Sequence, residues 1–307
     1  MPLLPTQSSR SVQEERSIFG TKTKDLKPKG NRLLWIASYP KSGNTWMRAF
    51  IANLIADKKE PLPLDDVGRY CPSEANYYWY TPFLGGKHIS DFTDAEILKF
   101  RPLVQRAMLE RSPNNLPLKT HSQFAIVNDV PLIEVNISMA VIYIIRDPRD
   151  VVLSGIHHFD LSIDKMIDFM NNNYAYNIST EGMVREWLGD WNHHVLSWVD
   201  LFPKKKIILR YEDLLAEPAR NFSMIAENLG ITSDKKRIDK AIEFSSFKKM
   251  KANEAKKGFL ERPEHVATFF RTGKSGEWAD KLSKKQIAKI EKNHGAIMQR
   301  FGYQLIS

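Results

Sequence analysis

The run Met139-Ala140-Val141-Ile142-Tyr143-Ile144-Ile145 is apolar without a break and rich in β-branched residues. A strand with one face in water alternates apolar and polar side chains; a strand that does not alternate is covered on both faces. Two further stretches also read as apolar strands, Leu33-Leu34-Trp35-Ile36-Ala37 and Lys206-Ile207-Ile208-Leu209-Arg210-Tyr211 with its apolar centre Ile207 to Leu209, and Leu116 to His121 reads as a shorter strand. Helical segments lie between them. One starts at Thr45, with Trp46, Ala49, Phe50, Asn53 and Leu54 at helical spacing. A second covers Asp94 to Glu110 behind Thr93 as N-cap, with Ile97, Leu98, Val104 and Met108 as its stripe. A third runs on from Arg146-Asp147-Pro148-Arg149-Asp150 through Val151, Val152, Ser154 and Ile156. Val184 to Leu201 is expected to be one long helix, its tryptophans on a core-facing side. The last of these has Pro218 near its start and stops at Leu229-Gly230. Strands alternating with helices predict an α/β fold: a single domain whose parallel central sheet is flanked by helices on both faces.

The 307 residues suit one large α/β domain, with 42% apolar residues enough for a sizeable core. Residues 1–30, polar and ending in Lys27-Pro28-Lys29-Gly30, read as a mobile N-terminal arm, and residues 31–307 as the domain. No run approaches the roughly 20 apolar residues that span a membrane, and no secretory signal is read. The one cysteine, Cys71, excludes an intrachain disulfide framework and a cysteine metal cluster. A cytoplasmic location is expected. The net charge of +9 suits a polyanionic ligand, an anionic surface or nucleic acid, and does not choose among them.

The strand ends narrow the choice. In open parallel sheets, ligands collect at the carboxyl ends of the strands. Here the first predicted strand ends in a small-residue loop, Pro40-Lys41-Ser42-Gly43-Asn44-Thr45, that opens a helix. Free backbone N–H groups and the helix dipole make such a turn an anion site, and Lys41 adds an ammonium. The next strand ends in Lys119 and His121, the third in Arg146, the fourth in Tyr211. Arg146, with Ser154 eight residues on, offers a guanidinium fork and a hydroxyl to a phosphate. The loop departs from the nucleotide-kinase pattern G-x-x-x-x-G-K-[ST], because its lysine precedes the glycine. The pairs His157-His158 and His193-His194 do not make metal sites, since adjacent helical residues point about 100° apart. Asp147 and Asp150 read as structural pairing and capping. The cluster Tyr77-Tyr78-Trp79-Tyr80 is either packing or an acceptor-pocket wall, and Asp160 to Glu181 is a second candidate for that wall.

Three motifs occur in order: Tyr39-Pro40-Lys41-Ser42-Gly43-Asn44-Thr45-Trp46, Ile145-Arg146-Asp147-Pro148-Arg149-Asp150-Val151-Val152-Leu153-Ser154, and Phe270-Arg271-Thr272-Gly273-Lys274-Ser275-Gly276-Glu277-Trp278. With Lys119-Thr120-His121, Tyr211-Glu212-Asp213-Leu214 and Ser245 to Met250 they span nearly the whole chain after the arm. On these the chain resembles the PAPS-dependent sulfotransferase family. The resemblance implies transfer of a sulfuryl group from 3′-phosphoadenosine 5′-phosphosulfate (PAPS) to a hydroxyl of a small molecule, lipid or sugar, with release of PAP and no metal. Lys41, Ser42, Gly43, Asn44, Thr45 and Trp46 would then cradle the phosphosulfate in a P-loop-like turn. Arg146, Ser154, Arg271, Thr272 and Gly273 fall at the 3′-phosphate positions. Trp46, Tyr211 and Phe247 would surround the adenine, with Ser245 and Met250 beside them. His121 matches the catalytic histidine, a general base, with Lys41 and Lys119 as its catalytic partners. Asn44 stands where many cytosolic members have threonine, and Thr272 replaces a common lysine. Residues 251–269 lack the dimer motif K-x-x-x-T-V-x-x-x-E, leaving the oligomeric state open. The rival readings are a P-loop-type nucleotide kinase and a non-catalytic binder of anionic ligands or nucleic acid; no nucleic-acid motif is recognised.

Overall fold

In a computed structural model of the chain, residues 30–177 and 182–307 are described. The expected arm lies outside the described residues except for Gly30. Four parallel strands form the central sheet: β1 (Leu33–Ser38), β2 (Leu116–Thr120), β3 (Ser138–Ile145) and β4 (Lys205–Arg210), in the order β2-β1-β3-β4. The alternation of side chains along these strands divides the core in two. Leu33, Trp35 and Ala37 of β1 with Val141, Tyr143 and Ile145 of β3 face one layer. Leu34 and Ile36 with Ala140, Ile142, Ile144, Ile207 and Leu209 face the other. Apolar residues at every position are thus needed by both faces, which is why these strands show no polar alternation.

The first layer holds α2 (Asp94–Glu110), α3 (Pro148–Phe159), α4 (Ile163–Met170), α5 (Trp191–Leu196) and α9 (Lys284–Arg300). The second holds α1 (Asn44–Ala56), α6 (Pro218–Asn228), α7 (Lys235–Phe244) and α8 (Phe247–Lys257). α2 occupies the expected residues, with Thr93 and Glu96 forming a reciprocal capping box. Pro218 takes the first position of α6, and Gly230 follows that helix at φ 64°.

The expected helix Val184–Leu201 is a correction. α5 starts only at Trp191, where Asp190 caps it by accepting from the His193 N–H at 2.8 Å. Gly189 before it lies at φ 64°, and Glu186-Trp187 pair in antiparallel fashion with Tyr176-Asn177. The apolar stripe was read correctly as core, since Trp191 and Trp198 are fully buried, but an extended segment carries its first third. The helix ends in a π turn over Ser197–Leu201. In the candidate wall Asp160–Glu181, α4 is the main element, and residues 178–181 lie outside the described residues.

Candidate active site

β1 is central enough to have a neighbour on each side, so its end faces the ends of β2 and β3. The loop after it turns tightly: Lys41 has φ 68° and Gly43 φ 105°. A Cβ on Gly43 would stand 2.8 Å from the Tyr211 ring, so glycine is required there both for conformation and for space. The side chain of Asn44 donates to the Ile36 carbonyl at 2.9 Å and to the Ser38 hydroxyl at 3.3 Å, tying the helix start back to its own strand. At this position asparagine therefore acts first as a structural tie. Thr45 and Trp46 follow in the first turn, and Trp46 packs edge-on against Tyr211 at 5.9 Å.

His121 sits just past the end of β2. Its Nδ1 lies 2.8 Å from the Ser38 carbonyl oxygen, an atom that only accepts. Nδ1 therefore carries the proton and Nε2 holds the lone pair. The imidazole is pushed down to about 4, by burial first and then by the neighbouring Lys119 ammonium, and is neutral at pH 7. Two groups hold its backbone: the His121 N–H donates to Glu186 at 2.6 Å, and its carbonyl accepts from His194 Nε2 at 2.9 Å. His194 in turn accepts at Nδ1 from the Tyr143 hydroxyl at 2.8 Å. Lys119 is buried, its backbone bonded to Pro72 and Glu74 on the outer side of β2.

Arg146, at the end of β3, donates to the carbonyls of Lys41 at 2.9 Å and Lys274 at 3.1 Å, while its guanidinium lies 4.4 Å over the Tyr211 ring. It bridges the first loop and the late loop Arg271–Trp278. Lys41 projects over the Phe269 ring at 4.2 Å, and its ammonium is driven down to about 7, by burial first and then by Arg146. A cavity of about 300 Å³ brings Lys41, Ser154 and Arg271 together.

The late loop is held from below. Asp150, in the first turn of α3, accepts from the Gly276 N–H at 2.6 Å and the Trp278 N–H at 3.3 Å, so it ties down the late loop instead of capping its own helix. Asp147 does what its position predicts, capping α3 and pairing with Arg149. Arg271 and Thr272 both bond Glu277, at 2.7 and 2.9 Å. A Cβ on Gly273 would stand 2.4 Å from the Phe247 ring, so loop and ring are in direct apposition. Ser245 and Met250 are not brought to an open surface: Ser245 is buried with its hydroxyl bonded to the Ala241 carbonyl at 2.8 Å, and Met250 belongs to the second core layer. Of the cluster 77–80, Tyr80 is buried while Tyr77 and Tyr78 are exposed.

Some of the buried polar atoms left without a partner among the described residues suit a phosphorylated nucleotide. The buried Ser42 hydroxyl, Trp46 Nε1 and Arg146 Nε have no partner among the described residues, and all three line or flank the first loop. Burying donors without acceptors is costly, and an anion supplies acceptors. Sequence reasoning missed Glu186, Glu254 and Glu261. Glu254 accepts from Thr268 Oγ1, Phe269 N and Phe270 N, and Glu261 takes both oxygens to Arg48, at 2.7 and 3.0 Å. Their partners lie far away in sequence or on irregular chain, where no periodic pattern marks them.

Comparison with known proteins agrees with this arrangement. The sulfotransferase domain family matches residues 31–302. Sulfotransferase 1A1 of Rattus norvegicus is 27% identical over 280 residues, covering 86% of this chain and 84% of the relative. Flavonol 3-sulfotransferase of Flaveria bidentis is 25% identical, covering 84% and 79%. Among solved structures, retinol dehydratase in complex with retinol and PAP shares the fold with a TM-score of 0.58 at 20% identity, covering 87% of this chain and 81% of that one. Mouse sulfotransferase SULT7A1 complexed with PAP does so with a TM-score of 0.54 at 20% identity, covering 87% and 85%. The chain belongs to the sulfotransferase family and is a PAPS-dependent sulfotransferase.

Proposed function

We propose that this enzyme sulfates a hydroxyl-bearing acceptor by in-line transfer, with His121 as general base. The observation that carries the reading is the lock on His121: its Nδ1 proton is committed to the Ser38 carbonyl, so Nε2 is free to take a proton. PAPS supplies the sulfuryl group. As the acceptor oxygen bonds to sulfur, its proton passes to His121 Nε2, and the bond from sulfur to the bridging phosphate oxygen breaks. Lys41 and the N–H groups of the Ser42–Thr45 turn offset the charge that grows on that bridging oxygen, and Lys119 adds a second ammonium beside His121. Such a reaction asks the protein for positioning and charge more than for covalent chemistry.

In this reading Ser154, Arg271 and the Gly273 backbone hold the 3′-phosphate. Arg146 joins them with the N–H donors that its bonds to the two loops leave unused. Trp46, Tyr211 and Phe247 wall the adenine; Ser245 and Met250 support that wall from behind. Thr272 serves through Glu277 as a fixer of Arg271. A cytoplasmic setting agrees with the free, buried Cys71 and with the absence, among the described residues, of a helix long and apolar enough to cross a membrane.

The test is His121→Ala assayed with radiolabelled PAPS against a panel of phenols, steroids, lipids and sugars. Transfer is expected to fall by about 10²–10⁴-fold, while PAP binding by calorimetry is retained. A fully active variant would remove His121 from the base role.

A further inference from the structure

The adjacent histidines of α3, His157 and His158, are absorbed neither by a metal nor by the transfer step. Successive residues of a helix point about 100° apart, so the two rings meet different neighbours around one cavity. His157 is under the influence of Arg271, Lys281, Glu277 and Lys41, with the phosphate clamp foremost. His158 is under that of Lys41, His121, Lys119 and His265, of which the first three are the groups assigned to the transfer step. Both line the cavity of about 300 Å³ that Lys41, Ser154 and Phe269 also border. The His158 ring stands edge-on to Phe159 at 4.9 Å and to Phe269 at 6.3 Å, the same Phe269 that carries Lys41 on its face. Neither ring nitrogen of His158 makes a hydrogen bond among the described residues. Val266, Ala267 and Phe269 make the neighbouring wall mainly apolar, with His265 and Thr268 in the same stretch. A pocket of this kind fixes a ligand's orientation through a few well-placed polar groups.

We propose that His158 is a specificity-determining residue that hydrogen-bonds a second polar group of the acceptor, next to the hydroxyl being sulfated, so that the enzyme favours vicinal diols. The proposal rests on the sulfuryl-transfer reading given above. Burial first, then the Lys41 charge, pushes the imidazole down to about 3, so at pH 7 it presents one N–H donor and one lone pair. A neutral ring of this kind can satisfy a hydroxyl in either sense. It does so without adding a further charge to a site that already holds two lysines.

Catechol and 2-methylphenol test this directly, because they differ by one hydroxyl in place of one methyl group. The wild-type protein is expected to transfer to catechol with the higher kcat/KM. His158→Phe should lower the ratio of the two kcat/KM values by about tenfold, and His158→Gln, which keeps a donor and an acceptor, should restore most of it. A ratio unchanged by His158→Phe, or no transfer to catechol by a protein that binds PAP, overturns the proposal. PAP calorimetry on the same samples separates the two readings. Failure of the wild-type protein to bind PAP counts against the donor assignment; a flat ratio with PAP bound counts only against His158.

Discussion

At the scale of single residues, the site works by restricting which atoms are free. The Ser38 carbonyl decides the tautomer of His121, and Glu186 and His194 hold the backbone that carries it. Lys41 shows the same logic for charge. Its pKa of about 7 lies far below that of a solvated lysine, because burial and Arg146 disfavour the ammonium. A bound polyanion reverses the balance and raises that pKa. Just above pH 7, PAP binding should therefore take up as much as about one proton, and affinity should fall as pH rises through that window. Calorimetry in buffers of different ionisation enthalpy measures the uptake. It should vanish in Lys41→Met; uptake that persists there would assign the proton to another group.

At the scale of elements, the loops after β1 and β3 and the late loop Arg271–Trp278 are held against one another by close packing at Gly43 and by hydrogen bonds to Asp150. Gly43 lets the first loop pass under Tyr211, and Gly43→Ala meets both a left-handed φ and a ring 2.8 Å away. We expect it to cost about 1–3 kcal/mol of stability and to weaken PAP binding by more than tenfold, on the order of 1.4 kcal/mol. Urea melts and calorimetry check the two effects separately. Asp150→Ala leaves the N–H groups of Gly276 and Trp278 without their acceptor, a loss of about 1–3 kcal/mol. Because it frees the loop bearing Arg271 and Gly273, PAP affinity should drop while the positions of Lys41 and His121 persist. An unchanged affinity would show that this loop does not carry the 3′-phosphate.

At the scale of the molecule, the sheet separates two cores and one charged pair is sealed into the structure beside β2. Arg101 and Glu74 are both fully buried; Arg101 also donates to Ser122 at 3.1 Å and to the Arg185 carbonyl, and Thr120 donates to Glu74 at 3.0 Å. The pair thus joins α2, the segment before it, the end of β2 and the segment that carries Glu186. Arg101→Ala would leave a carboxylate buried without its partner, at a cost of about 3–5 kcal/mol. Denaturant unfolding should show that loss, and a change within 0.5 kcal/mol, roughly that of an exposed surface site, would contradict the account.

How much could be read in advance follows from where each cause resides. Strands β1 and β3 announced themselves because both of their faces are buried, β4 through its Ile207-Ile208-Leu209 centre, and α2 because its cap and stripe are local. The Lys41–Trp46 turn, His121 and Arg146 were legible for a related reason, since each follows directly from a strand end. Chain sequence by itself determined the parallel sheet, the anion loop and the family. The start of α5 was not legible, because Gly189 and the pairing of Glu186-Trp187 with Tyr176-Asn177 override an apolar period that a helix and an extended segment share. The tautomer of His121, the tie from Asp150 to the late loop and the clamp made by Glu254 were decided only in three dimensions. Each joins residues from separate stretches of chain, and no local pattern records a hydrogen bond whose partner arrives from elsewhere in the fold.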